Sequence, residues 1–314
     1  MPSWIVWKHP LARSQQTMTA ITLSSTPLWV PVAAADGGCA QLLVQSAAAA
    51  RCGVLWLPAM GVAARHYAAL AAHCAELGLT FAVHEWRGVG SSAVRAGRAH
   101  DWGYRELLMD VAASFAAARA QTSSLSWIIG GHSLGGQLAL LFAAQGTAPV
   151  DGLALIGSGT PYWRNFPWRW RGLSRAAFAL APLLAQVVGH YPGRRLGFAG
   201  NEARGVIRDW TRSARSGRYG FDGMRDAESA LARLRQPVLV MHAGDDRLVP
   251  RAAIDHLLAK MPIAPRMQVR LDAADFGLAR VGHFGWMQAP RPVARVLSGW
   301  VAQMVSSAPA VPSS

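Results

Sequence analysis

Charged residues are scarce in this chain of 314 residues, and lysine is almost absent from it. Only 15% of the residues are charged and 52% are hydrophobic, so the composition excludes global disorder and supplies a large core. The length fits one large domain, or one domain with a sizeable insertion. Lys8 and Lys260 are the only lysines, so arginine carries almost all of the positive charge behind the net +14. Arginine-rich and alanine-rich chains also arise from GC-rich genomes, and we expect no nucleic-acid partner.

Cysteine is also rare. The three residues Cys39, Cys52 and Cys74 form no C-x-x-C pair, which argues against a disulfide framework and against a zinc site. The pattern fits a reducing compartment, so we expect a cytoplasmic protein with no metal and no other cofactor. No stretch reaches the roughly 18–20 uncharged apolar residues of a membrane-spanning helix, because the best candidate, residues 176–189, is short and contains Pro182.

The two ends of the sequence are expected to lie outside the folded core. The N-terminal residues lack the charged region and sustained apolar region of a signal peptide. We expect residues 1–17 to be a disordered or spurious leader, with Met18 as an alternative start. Residues 307–314 are expected to form a disordered tail.

Positive charge is concentrated in one quarter of the chain. Between Thr160 and Arg235 there are 14 arginines against 5 acidic residues, a local net charge of +9. A local field of this sign favours anionic ligands or an anionic lipid surface. We therefore expect at most a weak association of this region with anionic membranes.

Short apolar runs alternate with stretches of helical spacing along most of the chain. Strands are predicted at 53–59, 80–86, 125–131, 151–159, 237–244 and 266–274. Helices are predicted at 64–78, 103–120, 136–146, 251–261 and 292–305. The strands are continuous apolar runs, which is typical of strands buried on both faces. The pattern therefore predicts an α/β fold with a mostly parallel sheet covered by helices.

Two regions depart from this alternation. Residues 19–34 and 40–48 alternate weakly between apolar and polar positions and predict an antiparallel pair at the sheet edge. Residues 160–235 break the strand-helix rhythm and predict a mostly helical insertion over one end of the sheet. The predicted core thus comprises residues 18–159 and 236–306.

The segment GGHSLGG at 130–136 is the first candidate for chemistry. Gly131, Ser133 and Gly135 form a G-x-S-x-G motif between a predicted strand and a predicted helix, which is the context the motif requires. A sharp turn there would strain Ser133 and leave no room for side chains two positions away on either side. The alternative is a glycine-rich turn with an incidental serine. The predicted strand, turn and helix together favour a nucleophilic serine instead. The backbone N–H of Leu134 would then face a developing oxyanion.

A serine alcohol needs a base, and His283 is the best candidate among ten histidines. It lies between the last predicted strand and the last predicted helix, flanked by Gly282 and Gly285. His132 adjoins the serine, but neighbouring side chains on a sharp turn diverge, so it is a poor base. His84 is predicted inside a strand. The alternative for His283 is a surface histidine in a flexible loop.

The acid that orients the histidine should follow a late strand. The strand at 151–159 ends in Gly157, Ser158 and Gly159, so the next strand, which ends at Asp245 and Asp246, supplies the candidates. Adjacent side chains point apart and no His/Cys/Glu cluster accompanies them, which argues against a metal site.

These segments resemble the α/β-hydrolase superfamily, in its serine-hydrolase branch of lysophospholipase-like and monoacylglycerol-lipase-like proteins. The resemblance spans about Gly53 to Trp300, and the segments 85–92 (EWRGVGSS), 101–104 (DWGY) and 157–164 (GSGTPYWR) are also similar to a bacterial subgroup of hydrolases. It rests most on GGHSLGG, EWRGVGSS, HAGDDRLVP (242–250) and GHFGW (282–286). It implies a mostly parallel, eight-stranded type of sheet flanked by helices, with the insertion as a helical cap.

The resemblance also assigns individual positions. An acid, two residues and then Val-Pro is the family pattern, which Asp246 fits, so Asp246 is expected to orient His283 and Asp245 to form or anchor the loop. The family's His-Gly pair before the oxyanion donor is replaced by Pro58-Ala59, and alignment with that pair makes the Met60 N–H the second donor. Glu85 replaces the usual aspartate of a loop-shaping site.

The sequence therefore predicts a serine hydrolase that cleaves a carboxylic ester, of acyl or lipid-like type, through an acyl-enzyme. Trp163, Trp168 and Trp210 of the insertion are candidates for substrate binding, although such residues also serve as core. The same triad would suit an acyltransferase, or a peptidase or amidase. Two alternatives are not enzymes: a non-catalytic binding protein on this fold, and a basic surface module. A serine in place of an aspartate at the turn argues against epoxide or haloalkane hydrolysis.

Overall fold

A mixed, mostly parallel sheet forms the centre of the protein in the computed structural model, which describes residues 26–122 and 125–306. The strands are β1 (Leu28–Ala33), β2 (Cys39–Gln45), β3 (Cys52–Leu57), β4 (Leu79–Val83), β5 (Trp127–His132), β6 (Gly152–Ile156), β7 (Tyr191–Pro192), β8 (Asn201–Glu202), β9 (Val238–Ala243) and β10 (Arg266–Leu271). Eight of them form one sheet in the order β1-β2-β4-β3-β5-β6-β9-β10. The predicted α/β fold with an eight-stranded type of sheet is confirmed.

Nine α-helices are present in the described residues. They are α1 (Ala68–Glu76), α2 (Tyr104–Gln121), α3 (Leu134–Gln145), α4 (Trp168–Val188), α5 (Gly193–Leu196), α6 (Arg204–Ser216), α7 (Ala227–Ala232), α8 (Arg251–Leu258) and α9 (Arg291–Ser306). None of the described helices combines the length and apolar character needed to cross a bilayer.

The central strands are continuous apolar runs because both faces of the sheet are covered. Every residue of β3, β4, β5 and β6 is buried. One face packs against α2, α3, α7 and α8, and the other packs against α1 and α9. Successive residues of β3 point to opposite sides, since Leu55 belongs to the first core and Trp56 to the second.

The predicted antiparallel pair at the sheet edge is confirmed for the part that the structure describes. β1 pairs with β2, and β2 pairs with β4, both in antiparallel orientation. The remaining neighbours in this sheet are parallel. Residues 19–25 of the predicted pair lie outside the described residues, as do the expected leader at 1–17 and the expected tail at 307–314.

Several predicted boundaries were wrong by a few residues. The helix predicted at 64–78 begins as a 3-10 turn, Ala64–Tyr67, before α1. The strand predicted at 151–159 ends at Ile156 because Gly157 takes a left-handed φ of 53°. α3 begins at Leu134, since Ser133 is its N-cap residue. His84 follows β4 instead of lying inside it.

The chain between β6 and β9, residues 157–237, is called here the crossover segment. It contains α4, α5, α6 and α7, as a mostly helical insertion would. It also contains an unpredicted antiparallel ribbon, in which Tyr191 and Pro192 of β7 pair with Glu202 and Asn201 of β8. Strands of two residues are too short to give a periodic sequence signal.

Candidate active site

Ser133 lies at the point where β5 turns sharply into α3. Its backbone angles are φ 57° and ψ −119°, a strained conformation for any residue other than glycine. The N–H of Ser133 donates to the carbonyl of Ile156 at 3.0 Å, which fixes the turn against the end of β6. The strained serine thus lies at the carboxyl edge of the parallel strands, where ligands bind in open α/β sheets.

The glycines around Ser133 are required by close backbone contacts. A Cβ on Gly131 would lie 2.5 Å from the carbonyl carbon of Gly135. A Cβ on Gly135 would collide with the carbonyl oxygen of Leu57, at the end of β3. The same approach places the start of α3 directly against the loop that follows β3.

His283 and Asp246 come together at this edge. The Nδ1 atom of His283 lies 2.7 Å from Oδ2 of Asp246, and both side chains are almost fully buried. Because a carboxylate can only accept, Nδ1 carries the proton, and Nε2 keeps a lone pair. A Cβ on Gly157 would lie 3.3 Å from the His283 ring and 3.5 Å from Asp246 Oδ2, so the pair packs on the end of β6. Ser133 Oγ forms no hydrogen bond within the described residues.

The second oxygen of Asp246 is held by the loop after β9. Its Oδ1 accepts from the N–H groups of Leu248 at 2.8 Å and Val249 at 3.0 Å. Both oxygens of the carboxylate are therefore hydrogen-bonded in a buried position. These bonds fix the orientation of the carboxylate towards the imidazole of His283.

Asp245 has a different partner from its neighbour. Its Oδ1 accepts from the N–H of Gly282 at 2.8 Å, and Arg280 approaches its other oxygen at 3.6 Å. Gly282 directly precedes His283. Asp245 therefore anchors the loop that carries His283 but does not contact the imidazole.

His132 and Tyr67 form a relay between three parts of the site. The N–H of Ala59 donates to Tyr67 Oη at 2.9 Å, and Tyr67 Oη lies 2.9 Å from His132 Nδ1. His132 Nε2 lies 3.0 Å from the backbone oxygen of His283. Since that oxygen can only accept, His132 carries its proton on Nε2, and Tyr67 donates to Nδ1. Burial lowers the pKa of His132 well below its usual value, which keeps this ring neutral.

The sequence did not reveal this relay. Tyr67 stands 65 positions before His132, and no motif marks it. The only signal in the sequence is the position of His132 next to the serine, which predicts a poor base and does not predict the partners of its ring. The ring centroids of His132 and His283 lie 4.7 Å apart, so the two histidines are in direct contact.

The two expected oxyanion donors lie in adjoining backbone. Leu134 is the first residue of α3, and Met60 belongs to the loop after β3 that contacts Gly135. Next to Met60, Gly61 has a φ of 71° and packs against the backbone of Gly200 in the crossover segment. The crossover segment thus contacts the loop that would hold the oxyanion.

The three candidate substrate-binding tryptophans lie in different surroundings. Trp163 is half-buried. The Cζ atoms of Arg164 and Arg175 lie 5.1 Å and 5.6 Å from the centroid of its ring. Trp210 packs edge-to-face on Phe178 at 5.1 Å. Trp168 is 81% exposed at the start of α4.

Two further features bear on the sequence predictions. Glu85 accepts from the N–H groups of Ala64 at 2.9 Å and Ser91 at 3.1 Å, so it shapes its loop through backbone contacts. Within residues 26–122 and 125–306, no group of three or more His, Cys, Asp or Glu side chains is arranged to hold a metal ion.

A family comparison identifies the core of the chain. The family model described as serine aminopeptidase, S33, matches residues 48–272. The match includes Ser133 and Asp246 and ends before His283. Comparison with curated protein sequences gives no match.

Solved structures share the fold at low sequence identity. A soluble variant of monoglyceride lipase from Saccharomyces cerevisiae, in complex with a substrate analogue, is 15% identical with a TM-score of 0.64, covering 90% of this chain and 96% of its own. The protein Est1E from Butyrivibrio proteoclasticus, with ferulic acid bound, is 15% identical with a TM-score of 0.59, covering 88% and 100%. The esterase domain of a Rhodothermus marinus protein is 15% identical with a TM-score of 0.59, covering 89% and 99%.

Proposed function

The chain belongs to the serine aminopeptidase S33 family of α/β hydrolases, and we propose that it cleaves a carboxylic ester through an acyl-enzyme on Ser133. Membership supports hydrolase activity in general. The observation that carries the finer proposal is the 2.7 Å hydrogen bond between His283 and Asp246, at the sheet edge where Ser133 is strained. Asp246 and His283 complete the triad in this proposal.

The proposed reaction has two steps. His283 Nε2 takes the proton of Ser133 Oγ as that oxygen attacks the ester carbonyl, and the N–H groups of Leu134 and Met60 hold the oxyanion. The carbon–oxygen bond to the alcohol then breaks, and the alcohol leaves with the proton from Nε2. Water gives a proton to Nε2 and attacks the acyl-enzyme. The acid is released as Ser133 recovers its proton. Asp246 stays ionised throughout.

An ester of acyl or lipid-like type is the proposed substrate class. The crossover segment would act as the cap over the site, as the contact of Gly200 with Gly61 next to Met60 supports. The aromatic group formed by Phe178, Phe198 and Trp210 supports an apolar lining. Trp163 is proposed to contribute to the same lining. The monoglyceride lipase and the Rhodothermus marinus esterase domain named above share the fold of this chain, which is consistent with this class.

A peptidase or amidase is the second candidate, and the family name favours it. The same triad would attack an amide, with His283 protonating a leaving amine in place of an alcohol. An acyltransferase would pass the acyl group to another alcohol or amine in place of water. Only the products of the reaction distinguish these three activities.

A substrate panel tests the proposal directly. The purified chain is assayed with p-nitrophenyl esters, monoacylglycerols, lysophospholipids and aminoacyl amides, each with and without competing acceptors. We expect ester turnover that Ser133→Ala abolishes, together with fluorophosphonate labelling of Ser133. Ser158→Ala, a buried serine beside the turn, should keep both properties. Failure of the folded protein to label would contradict the hydrolase mechanism, and preferred amide turnover would favour the second candidate.

A further inference from the structure

Helix α4 presents an apolar face to solvent, and we propose that this face docks on the surface of an anionic lipid bilayer. The outer face is defined by Trp168 at the helix start and by Leu173, Leu180, Leu183, Leu184 and Val187. This docking rests on the proposed ester hydrolysis, because the bilayer would be the surface that presents an acyl substrate to the site. The docking itself can be measured independently of turnover.

The helix is apolar on two sides, and only one of them faces the protein. Its inner side contributes Phe178 and Ala185, which are both buried. On its outer face Leu180 is 61% exposed, Leu183 63% and Val187 70%. A surface helix of a globular protein normally turns polar residues outward. Core packing therefore explains the inner side and leaves the outer face without a partner in the described residues.

The outer face forms one continuous stripe. Leu173, Leu180, Leu184 and Val187 follow one another at intervals of seven, four and three positions, which places them on the same side of a helix. At a rise of 1.5 Å per residue the stripe is about 21 Å long. Exposed alanines at 176 and 177 lie between them, so no polar side chain interrupts it. A contiguous exposed apolar surface marks an interaction site.

The positive charge around the stripe favours an anionic partner. The residues from Thr160 to Asn201 contain no aspartate or glutamate, and they contain six arginines: Arg164, Arg169, Arg171, Arg175, Arg194 and Arg195. Five of them precede or follow the stripe along the chain, and Arg175 lies within its range on another side of the helix. All six are exposed, and none forms an ion pair within the residues that the structure describes. An apolar face bracketed by arginine is complementary to acyl chains below a layer of anionic headgroups.

The geometry fits a helix lying in the bilayer surface. α4 does not meet the requirements for crossing a bilayer. It leads into β7, which pairs with β8, and Gly200 just before β8 contacts Gly61 beside Met60. The docking face is thus connected through one short ribbon to the loop that would hold the oxyanion.

Vesicle co-sedimentation of the full chain tests the docking. We expect binding to vesicles of phosphatidylcholine with 30% phosphatidylglycerol at least tenfold tighter than to phosphatidylcholine alone, and weakened by salt. The variant Leu180→Asp/Val187→Asp should lose at least tenfold in affinity. Arg194→Gln/Arg195→Gln should lose severalfold and show a weaker salt dependence. Ile263→Asp, which changes a 48% exposed apolar residue outside the helix, should bind as the unmodified chain does.

Three contrary results are distinguishable, and two of them would identify another occupant of the outer face. Equal vesicle binding by the Leu180→Asp/Val187→Asp variant would overturn the proposal. A dimer in free solution that this variant dissociates would assign the face to a second copy of the chain. The emission maximum of a fluorophore attached to Leu180→Cys, in a Cys39→Ser background, should shift to the blue only when anionic vesicles are added. A blue shift already present in the free monomer would assign the face to another segment of the chain.

Two further measurements separate this inference from the proposed function. Ser133→Ala should bind anionic vesicles like the unmodified chain even though its ester turnover is lost. The Leu180→Asp/Val187→Asp variant should hydrolyse soluble short-chain esters at the unmodified rate, which also shows that it is folded. If the unmodified chain hydrolysed esters but did not bind anionic vesicles, that result would contradict only the docking and would leave the proposed function standing.

Discussion

The two adjacent carboxylates in the loop just after β9 have different hydrogen-bond partners. Asp246 binds the imidazole of His283, whereas Asp245 binds the backbone N–H of the preceding glycine. We expect Asp246→Asn to lower kcat by about 10³–10⁴-fold, because an amide in place of the carboxylate favours the wrong imidazole tautomer. Asp245→Asn keeps an oxygen for Gly282 and should stay within about tenfold, the range expected for a small shift of the loop. Steady-state kinetics of the two variants on one ester measures this asymmetry, and equal effects would refute it.

The relay through Tyr67 predicts a second effect at a single atom. Tyr67→Phe removes the hydroxyl that joins Ala59 to His132, which leaves a buried N–H unpaired beside the oxyanion loop. We expect kcat to fall about tenfold with KM nearly unchanged, since a sub-ångström displacement of catalytic groups costs rate more than binding. Kinetics should be measured together with the free energy of unfolding, which should fall by about 1–3 kcal/mol.

Tyr104 provides a matched control for that experiment. It is as deeply buried as Tyr67, but its hydroxyl has no hydrogen-bond partner in the described residues. Tyr104→Phe should therefore leave kcat unchanged and should not destabilise the fold. Equal kinetic effects of the two substitutions would show that loss of a buried hydroxyl, and not the relay, is responsible.

How far the sequence predicts individual residues depends on whether their environment is local. Gly131, Ser133 and Gly135 lie in one turn, so their spacing encodes the backbone contacts that exclude side chains. The pairing of Asp246 with His283 spans 37 positions and came from a family pattern. Tyr67 and the Gly200 contact with Gly61 belong to no such pattern, because packing between distant segments determines them.

At the scale of elements, a buried lysine joins three helices of the fold. Lys260, just after α8, donates to both oxygens of Glu228 in α7 at 2.8 and 2.7 Å and to the carbonyl of Gly217 after α6 at 2.8 Å. We expect Lys260→Met to lower the free energy of unfolding by about 3 kcal/mol, since it leaves the partly buried carboxylate of Glu228 without its cation. Urea denaturation of the purified variants measures the loss.

Two comparisons isolate that ion pair. Arg251 pairs with Asp255 on the exposed side of α8, so Arg251→Met should change the free energy of unfolding by less than about 0.5 kcal/mol. Adding Glu228→Gln to Lys260→Met should recover part of the stability, because glutamine still accepts from the N–H of Tyr219 at the same oxygen position. A double variant no more stable than Lys260→Met alone would show that packing of the lysine stem dominates.

Elements with strong periodicity were predicted well, and short elements were not. The buried strands are recognisable because covering both faces requires uninterrupted apolar residues. Helix starts were shifted where a turn preceded them, as at Ser133, since the N-cap lies outside the periodic pattern. The ribbon of β7 and β8 depends on backbone pairing between four residues, which leaves no pattern in their side chains.

At the scale of the whole molecule, alternation of strands and helices predicts the sheet and its covering layers. Right-handed crossovers between parallel strands allow few topologies, so the order of elements determines most of the sheet. The way in which the crossover segment lies over the site could not be predicted in the same way. It depends on contacts such as that of Phe178 with Trp210. The net charge of +9 and the number of tryptophans in this region do not indicate which residues pack together.

A buried carboxyl in the crossover segment predicts how the stability of the whole molecule depends on pH. Burial raises the pKa of Glu202 from 4.5 to about 7, although the N–H of Gly200 and the charge of Arg194 act in the opposite direction. Between pH 4.5 and 7 the folded protein therefore holds a proton that the unfolded chain has lost. The contribution of Glu202 to the free energy of unfolding should accordingly fall as pH rises through this window, by about 3 kcal/mol in total.

Glu202→Gln removes this titration and keeps an acceptor for Gly200. At pH 8 the variant should be more stable than the unmodified chain by about 2–3 kcal/mol, and near pH 4.5 the two should be nearly equal. Urea denaturation at pH 5 and pH 8 measures the difference, and all other titrating groups cancel in the comparison. Asp222→Asn, at an exposed carboxyl of the same segment, should reproduce the pH dependence of the unmodified chain. A Glu202→Gln variant with that same dependence would show that the buried carboxyl is already ionised below pH 5.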